Sequence, residues 1–277
     1  MPIITLLTDF GTQDAYVAAM KGVILGMYPQ AHLVDITHQV PAQDVRQAAF
    51  LLASVHRFFP SGTIHLAVVD PGVGTQRRAI ALGTPSATYL APDNGLLSYV
   101  LDDLLRPQGS LEPVDWAVLR QRPLRPPLTA VSLTTPDYWL KPVSHTFHGR
   151  DIFAPVAAHL SLGVPLALLG EPVSWLNAFY IPHPIPQPDS SLRCHIVHVD
   201  AFGNLVTDAR VEDLPSPEMT IEVGGRRIQG LSHSYAEGGE LLALIGSAGY
   251  LEVAARNASA ARLLGLKVGD VLLVRQG

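Results

Sequence analysis

The feature that most constrains this chain is the alternation, in its first seventy or so residues, of short β-branched runs with longer amphipathic ones. ITLLTD, HLVDIT and TIHLAVVD read as strands, and AYVAAMKGVILGM and DVRQAAFLLASVHRFF read as the helices between them. Parallel strands need crossover connections, so this βαβαβ order predicts a Rossmann-like α/β domain, a parallel sheet with helices on its faces. Three carboxylates sit at those strand ends: Asp9 after ITLLT, Asp35 within LVDIT and Asp70 after HLAVV. Ligands of open α/β sheets bind outside the carboxyl ends of the strands, which makes all three candidate site residues.

Further along, the pattern changes. Residues 106–127, rich in Pro and Arg, read as an irregular surface excursion. DIFAPVAAHLSLGV, with Asp151 near its start and Gly163 at its end, reads as the helix that closes the first domain. Four prolines in IPHPIPQPDSS stiffen the chain and interrupt helix and sheet alike, placing a linker at 181–190 between domains at 1–180 and 191–277. The second domain offers CHIVHVD, TIEVGGRRI, LLALIGS, YLEVAA and DVLLVR as short strands, with one short helix in NASAARLLGL. That is the signature of a small β-barrel-like domain.

Composition narrows the partners. A formal charge of −5 provides no broad basic surface, which excludes nucleic acid as a general partner and favours a small molecule. A single cysteine, Cys194, cannot form an internal disulfide, and MPIITLLTDFG lacks the basic and apolar regions of a leader, so a cytoplasmic location is expected. No apolar run approaches the ~20 residues of a membrane span. The histidines form no HExxH or Cys/His ligand pattern, so no metal is expected either.

Five segments hold residues suited to chemistry. In DFGTQD, Asp9 is placed to accept two hydrogen bonds from a vicinal diol, while Asp14 either holds an ammonium group or caps the next helix. Phe10, beside Asp9, is a further substrate-binding candidate. In VVDPGVGTQRR, Pro71, Gly72 and Gly74 force a tight turn, and the absence of Lys-Ser/Thr and GxGxxG argues against a phosphate cradle. Asp70 and Arg77 face each other across that turn, either around a ligand or as a structural ion pair. SHTFHGRDIFAP brings His145, Phe147, His148, Arg150 and Asp151 to a helix entry. His148 is the catalytic candidate there and Phe147 a substrate-binding one, with Arg150 and Asp151 assigned to capping or an ion pair. DAFGNLVTD supplies Phe202 as a stacking face and Asn204 as a side-chain amide, the two things an adenine ring needs, though a plain Gly-Asn turn reads the same way. GSAGYLEVAARN offers Ser247, Tyr250 and Glu252 for the polar groups of an amino acid, or an ordinary hairpin.

Taken together with VDITHQV and APDNGLLS, these segments resemble the S-adenosylmethionine (SAM) hydroxide adenosyltransferase family, related to the fluorinating and chlorinating enzymes that use the same substrate. The likeness runs in order from near residue 4 to residue 270, with 106–127 standing out as an insertion. It implies hydrolysis of SAM to adenosine and methionine, without metal or cofactor, in a homotrimer whose sites lie between the N-terminal domain of one subunit and the C-terminal domain of the next. It puts the catalytic roles on Asp70, Arg77 and His148, the ribose on Asp9, and the adenine on Phe202 and Asn204. Asp14 and Ser247 fall near the methionine end, followed by Tyr250 and Glu252. The halogenating relatives have Tyr at position 70, where a carboxylate would repel halide, and Trp at position 43, where Gln43 makes a more polar wall over the sugar. Two alternatives stay open at this stage, a SAM-dependent halogenase and a sensor that binds SAM or adenosine without turnover. So does the choice between bound hydroxide and a proton passed to Asp70.

Overall fold

The computed structural model describes residues 2–105, 118–237 and 239–276. They divide into two compact units, the first ending at Ile181 and the second beginning at Pro182.

The first unit opens as the alternation predicts: β1 (Ile3–Thr8), α1 (Tyr16–Met27), β2 (His32–Thr37), α2 (Val45–Val55) and β3 (Thr63–Val68). It continues with β4 (Ala79–Gly83), β5 (Ala87–Pro92), α3 (Ser98–Leu105), β6 (Leu119–Pro123), β7 (Thr129–Leu133), α4 (Ala154–Ser161), β8 (Gly170–Val173) and β9 (Trp175–Phe179). Seven strands form one sheet in the order β2-β1-β3-β5-β4-β7-β8. The first four are parallel, while β4, β7 and β8 add on antiparallel, so the sheet is mixed rather than wholly parallel. Every residue of β3 is buried, as expected for a central parallel strand covered on both faces, whereas β2 at the edge is largely exposed. One face carries a core of Ile4, Leu6, Met20, Ile24, Leu66 and Phe153 from the strands, α1 and the segment leading into α4. The other packs Leu7, Leu52, Ile80, Leu82, Tyr89 and Val100 beneath α2 and α3.

Three expectations are corrected. Within the stretch read as an irregular excursion, residues 119–123 form β6, paired with β9 in a separate two-stranded ribbon, and residues 106–117 lie outside the described residues. α4 does not close the unit, because β8 and β9 follow it. The Pro-rich stretch also contributes a short strand, β10 (Ile185–Pro186), which pairs at the edge where a missing N–H costs little.

The second unit continues with β11 (Leu192–Val199), β12 (Leu205–Arg210), β13 (Thr220–Val223), β14 (Arg226–Gln229), β15 (Leu241–Ile245), β16 (Tyr250–Ala255), α5 (Ala260–Leu264) and β17 (Val271–Arg275). Their order, β14-β13-β17-β11-β12-β16-β15, is antiparallel throughout, and the two end strands approach each other, giving a nearly closed barrel. Ser259 caps α5 by accepting from the Arg262 N–H, and Gly265 ends it in the left-handed region at φ 66°. Cys194 is fully buried among Ile196, Leu205, Ile221 and Leu272. Burial, with the Asp208 and Asp213 charges nearby, pushes its thiol far above the usual range.

Candidate active site

Asp9 and Asp70 leave the same edge of the sheet. Thr8 and Val68 are in register on the parallel strands β1 and β3, and the two carboxylates follow one and two residues later. Asp35 does not join them: it lies inside β2 and is bound to Lys21 at 2.6 Å and His38 at 3.1 Å.

After β3 the chain turns sharply through residues 70–75 and returns with Arg77, whose Nε lies 2.9 Å from both oxygens of Asp70 while its Nη2 closes on Oδ2. The same Nη2 lies 3.0 Å from Nδ1 of His148, so the three residues form one connected group. The next residue, Arg78, is committed elsewhere, to buried Asp93 at 2.6 Å and to the face of Trp175. Asn94 ties the strand end in place by donating to the carbonyl of Val69 at 2.9 Å. His148 arrives from the far end of the unit, and Gly74 explains how. At φ 77° it has no side chain, and a Cβ there would lie 2.4 Å from the carbonyl oxygen of His145. Only glycine lets the two backbones approach that closely.

A guanidinium only donates, so Nδ1 of His148 accepts from Arg77 and the ring's hydrogen sits on Nε2. Burial, followed by the charge of Arg77, holds this imidazole below the usual histidine range, in agreement with a neutral ring. The group therefore presents a carboxylate acceptor at Asp70 and an N–H donor at His148.

Asp9 accepts at 2.8 Å from the backbone N–H of Gln43, a residue held at φ 66°, so Gln43 meets the candidate site through its backbone. The Asp9 loop is further tied by Gly11 N–H to the His38 carbonyl at 2.8 Å and by Thr8 Oγ1 to His38 Nδ1 at 2.8 Å. Asp14 is exposed and does not cap α1, whose N-cap position is Ala15 and carries no side-chain bond. Phe10 and Phe147 pack edge to face at 5.7 Å, and Tyr16 meets Phe147 at 5.2 Å, an aromatic wall that the sequence reading left without Tyr16. With Ser144, Thr146 and Arg150 these rings line a cavity of about 440 Å³.

A second cavity, of about 640 Å³, lies in the C-terminal unit and brings together Phe202, Asn204, Ser247 and Glu252. Phe202 is 80% exposed at its rim, an unstacked aromatic face. Its loop is closed by Asp200, which accepts from the backbone N–H groups of Phe202 and Asn204 and from the Asn204 side chain. Gly203 is required in this loop, since a Cβ would fall 2.0 Å from Ser259 Oγ. Glu252 is buried and accepts from Tyr235 at 3.1 Å, and its carboxyl is raised by burial and by the charge of Asp200. Tyr250 takes a different course: its hydroxyl accepts from Arg210 at 2.8 Å, and it is absent from the lining. Asp200, Tyr235 and Asn257, which do line this cavity, were missed by the sequence reading, although Asp200 stands at the head of the DAFGN motif.

The comparisons agree along the whole chain. Residues 4–170 match the N-terminal domain of SAM hydroxide adenosyltransferases, and residues 194–273 match the C-terminal domain. An (R)-S-adenosyl-L-methionine hydrolase of Salinispora arenicola is 40% identical over 281 residues, covering 100% of this chain and 98% of the relative. A fluorinase of Nocardia brasiliensis is 28% identical, covering 100% and 97%. In structure, an uncharacterized conserved protein from Thermotoga maritima superposes with a TM-score of 0.83 at 31% identity, over 99% of this chain and all of that one. A likeness that spans both units in order, at this identity and with the same fold, leaves one conclusion: the chain belongs to the SAM hydroxide adenosyltransferase family.

Proposed function

We propose that this enzyme hydrolyses SAM to adenosine and methionine, and that the connected group Asp70, Arg77 and His148 carries the reaction. The water oxygen attacks the ribose C5′ in line with the C5′–S bond. The bonding pair of that bond goes to sulfur, the sulfonium becomes the neutral thioether of methionine, and one water proton is released. The leaving group is already cationic, so the reaction asks for no metal or cofactor. An anionic nucleophile and a sulfonium neutralise each other along the path, which a dry site favours.

The hydrogen-bond pattern supports a division of the parts. His148, with its proton on Nε2, donates toward the incoming oxygen, Asp70 is the acceptor for its proton, and Arg77 fixes both. Of bound hydroxide and proton transfer to Asp70, this reading takes the second; the Nδ1 lone pair of His148 is engaged by Arg77. Asp9 takes the ribose diol, Phe202 and Asn204 take the adenine, and Ser247 and Asp14 stand toward the methionine end. A carboxylate at position 70 disfavours halide, and greater similarity to the hydrolase than to the fluorinase supports water as nucleophile. The working form in this reading is a cytoplasmic homotrimer with sites shared between subunits.

Incubation of the protein with SAM, with and without chloride, followed by chromatography is the direct test. Adenosine and methionine are expected in both cases. Formation of 5′-chloroadenosine would overturn the reading, and binding without any product would leave a sensor.

A further inference from the structure

VDITHQV holds a carboxylate and a histidine that the catalytic group leaves unused, Asp35 and His38. Both stand behind the loop that carries Asp9. β1 and β2 run in parallel register until Leu6 faces Asp35, but the next pair is Leu7 with Thr37, so Ile36 is an extra residue in β2. In a regular strand residues three apart point to opposite faces, and one extra residue resets the alternation. Asp35 and His38 are thereby brought to the same side, with Asp35 Oδ1 3.1 Å from His38 Nε2. That contact is electrostatic, since it lacks the alignment of a hydrogen bond. Lys21 holds the other oxygen of Asp35 at 2.6 Å.

His38 is buried and grips the Asp9 loop at two points. Its Nδ1 lies 2.8 Å from Oγ1 of Thr8, a fully buried residue just before Asp9. Its carbonyl accepts at 2.8 Å from the N–H of Gly11, which turns the loop at φ 66°. Thr8 Oγ1 also accepts from the Phe10 N–H at 3.2 Å. The arrangement that uses every one of these groups has the Thr8 hydroxyl donating to Nδ1 and the ring hydrogen on Nε2, toward the Asp35 carboxylate. Asp9 lies between the two grips, and the Gln43 N–H that it accepts from belongs to the segment that follows His38. One side chain and its own carbonyl thus set the loop from both ends.

We infer that His38 is a positioning residue for the diol-binding carboxylate, aiming Asp9 through Thr8 and Gly11, with Asp35 and Lys21 fixing its ring. This rests on the reading of Asp9 as the ribose ligand and gives the VDITHQV segment a part in it.

The test compares SAM with an analogue that lacks both ribose hydroxyls but keeps the adenine, the sulfonium and the amino acid. Hydrogen bonds from a diol to a carboxylate are charged ones, so the wild type is expected to favour SAM in kcat/KM by about 30-fold or more. His38→Leu keeps apolar bulk and deletes the acceptor for Thr8. It should lower kcat/KM for SAM by about tenfold and that for the analogue by less than about twofold, so that the preference shrinks. His38→Asn puts an amide oxygen near the place of Nδ1 and should recover most of the preference; no recovery counts against the inference. A merely structural role lowers both substrates alike, and that result, or an unchanged preference, would overturn it. Should His38→Leu fail to fold, Thr8→Val removes the same bond from its other end at similar size and is read by the same ratio. A wild type that turns over SAM without any preference refutes the diol role of Asp9, and one that yields no adenosine refutes the SAM reading itself. Both results are distinct from a preference that survives in the variants.

Discussion

At the scale of single residues the candidate chemistry rests on which atoms already have partners. Asp70→Asn keeps an oxygen for Arg77 but removes the charge and the proton acceptor. Adenosine release by that variant should fall about 100-fold or more, within the range of a lost general base, while SAM affinity measured by calorimetry stays within about tenfold. His148 gives a pH prediction. Its ring is held neutral below the usual value of about 6.5, so kcat/KM should be level above pH ~7 and fall on acidification, with the midpoint below the ordinary histidine value. Protonation would put a hydrogen on Nδ1 against the Arg77 N–H. The same sign holds for stability: a depressed value contributes fully above the unfolded one and is lost as pH falls through the folded one. A rate limb centred above pH 7 would remove His148 from this role. Arg77 and Arg78 show what sequence reasoning can and cannot reach. That one of them meets Asp70 across the turn is legible from the spacing, but that Arg78 belongs to Asp93 depends on where β5 ends in space. Arg150 and Asp151 were legible as a cap or an ion pair, and they form the ion pair, with Nε 2.6 Å from Oδ1.

At the scale of elements, the strand-to-turn junctions do the positioning. Gly74 lets two distant segments touch, and its loss is predicted to cost more activity than stability. Gly74→Ala adds a Cβ at 2.4 Å from the His145 carbonyl in a left-handed conformation, a strain of about 1–3 kcal/mol that the loop can relieve only by moving His148 away. Turnover should drop by about tenfold or more with the melting temperature lowered by only a few degrees, which kinetics and thermal scanning on the same sample would show. The βαβαβ opening was legible because each element there has its own period. The antiparallel half of the sheet was not, since β4, β7 and β8 are short and separated by long connections whose pairing is decided by the burial of Leu82, Val131 and Ala130 against neighbours distant in sequence. β6 escaped notice because Arg120, Gln121 and Arg122 carry no apolar alternation: it is a largely exposed strand paired to the mostly buried β9. In the C-terminal unit the DAFGN segment was legible as a loop between strands, but Asp200, whose carboxylate closes that loop, gave no signal beyond its place in the motif.

For the whole molecule, the two units carry cavities of opposite character, one lined by a cation and hydroxyls, the other by two carboxylates. If sites are shared between subunits as proposed, mixing an inactive Asp70→Asn chain with an inactive Asn204→Ala chain should restore a measurable fraction of activity after subunit exchange. Continued inactivity once exchange is shown by mass spectrometry would place each site within one chain. Deeper in the first unit, Phe153 is fully buried with Arg77 5.7 Å from its ring centroid, so Phe153→Ala should lower stability by about 3–5 kcal/mol in denaturant titration and loosen the Asp70–Arg77–His148 group as well. The buried Cys194 has a practical consequence of another kind. A thiol with no access to solvent and little tendency to ionise is a poor target for alkylating and oxidising reagents, so the protein should keep its activity through exposure to either. A cysteine introduced at any exposed position would then be the sole reactive thiol on the chain. A fluorophore or spin label could be attached at one chosen point, near Tyr16 or Phe202 for example, without first removing a native residue.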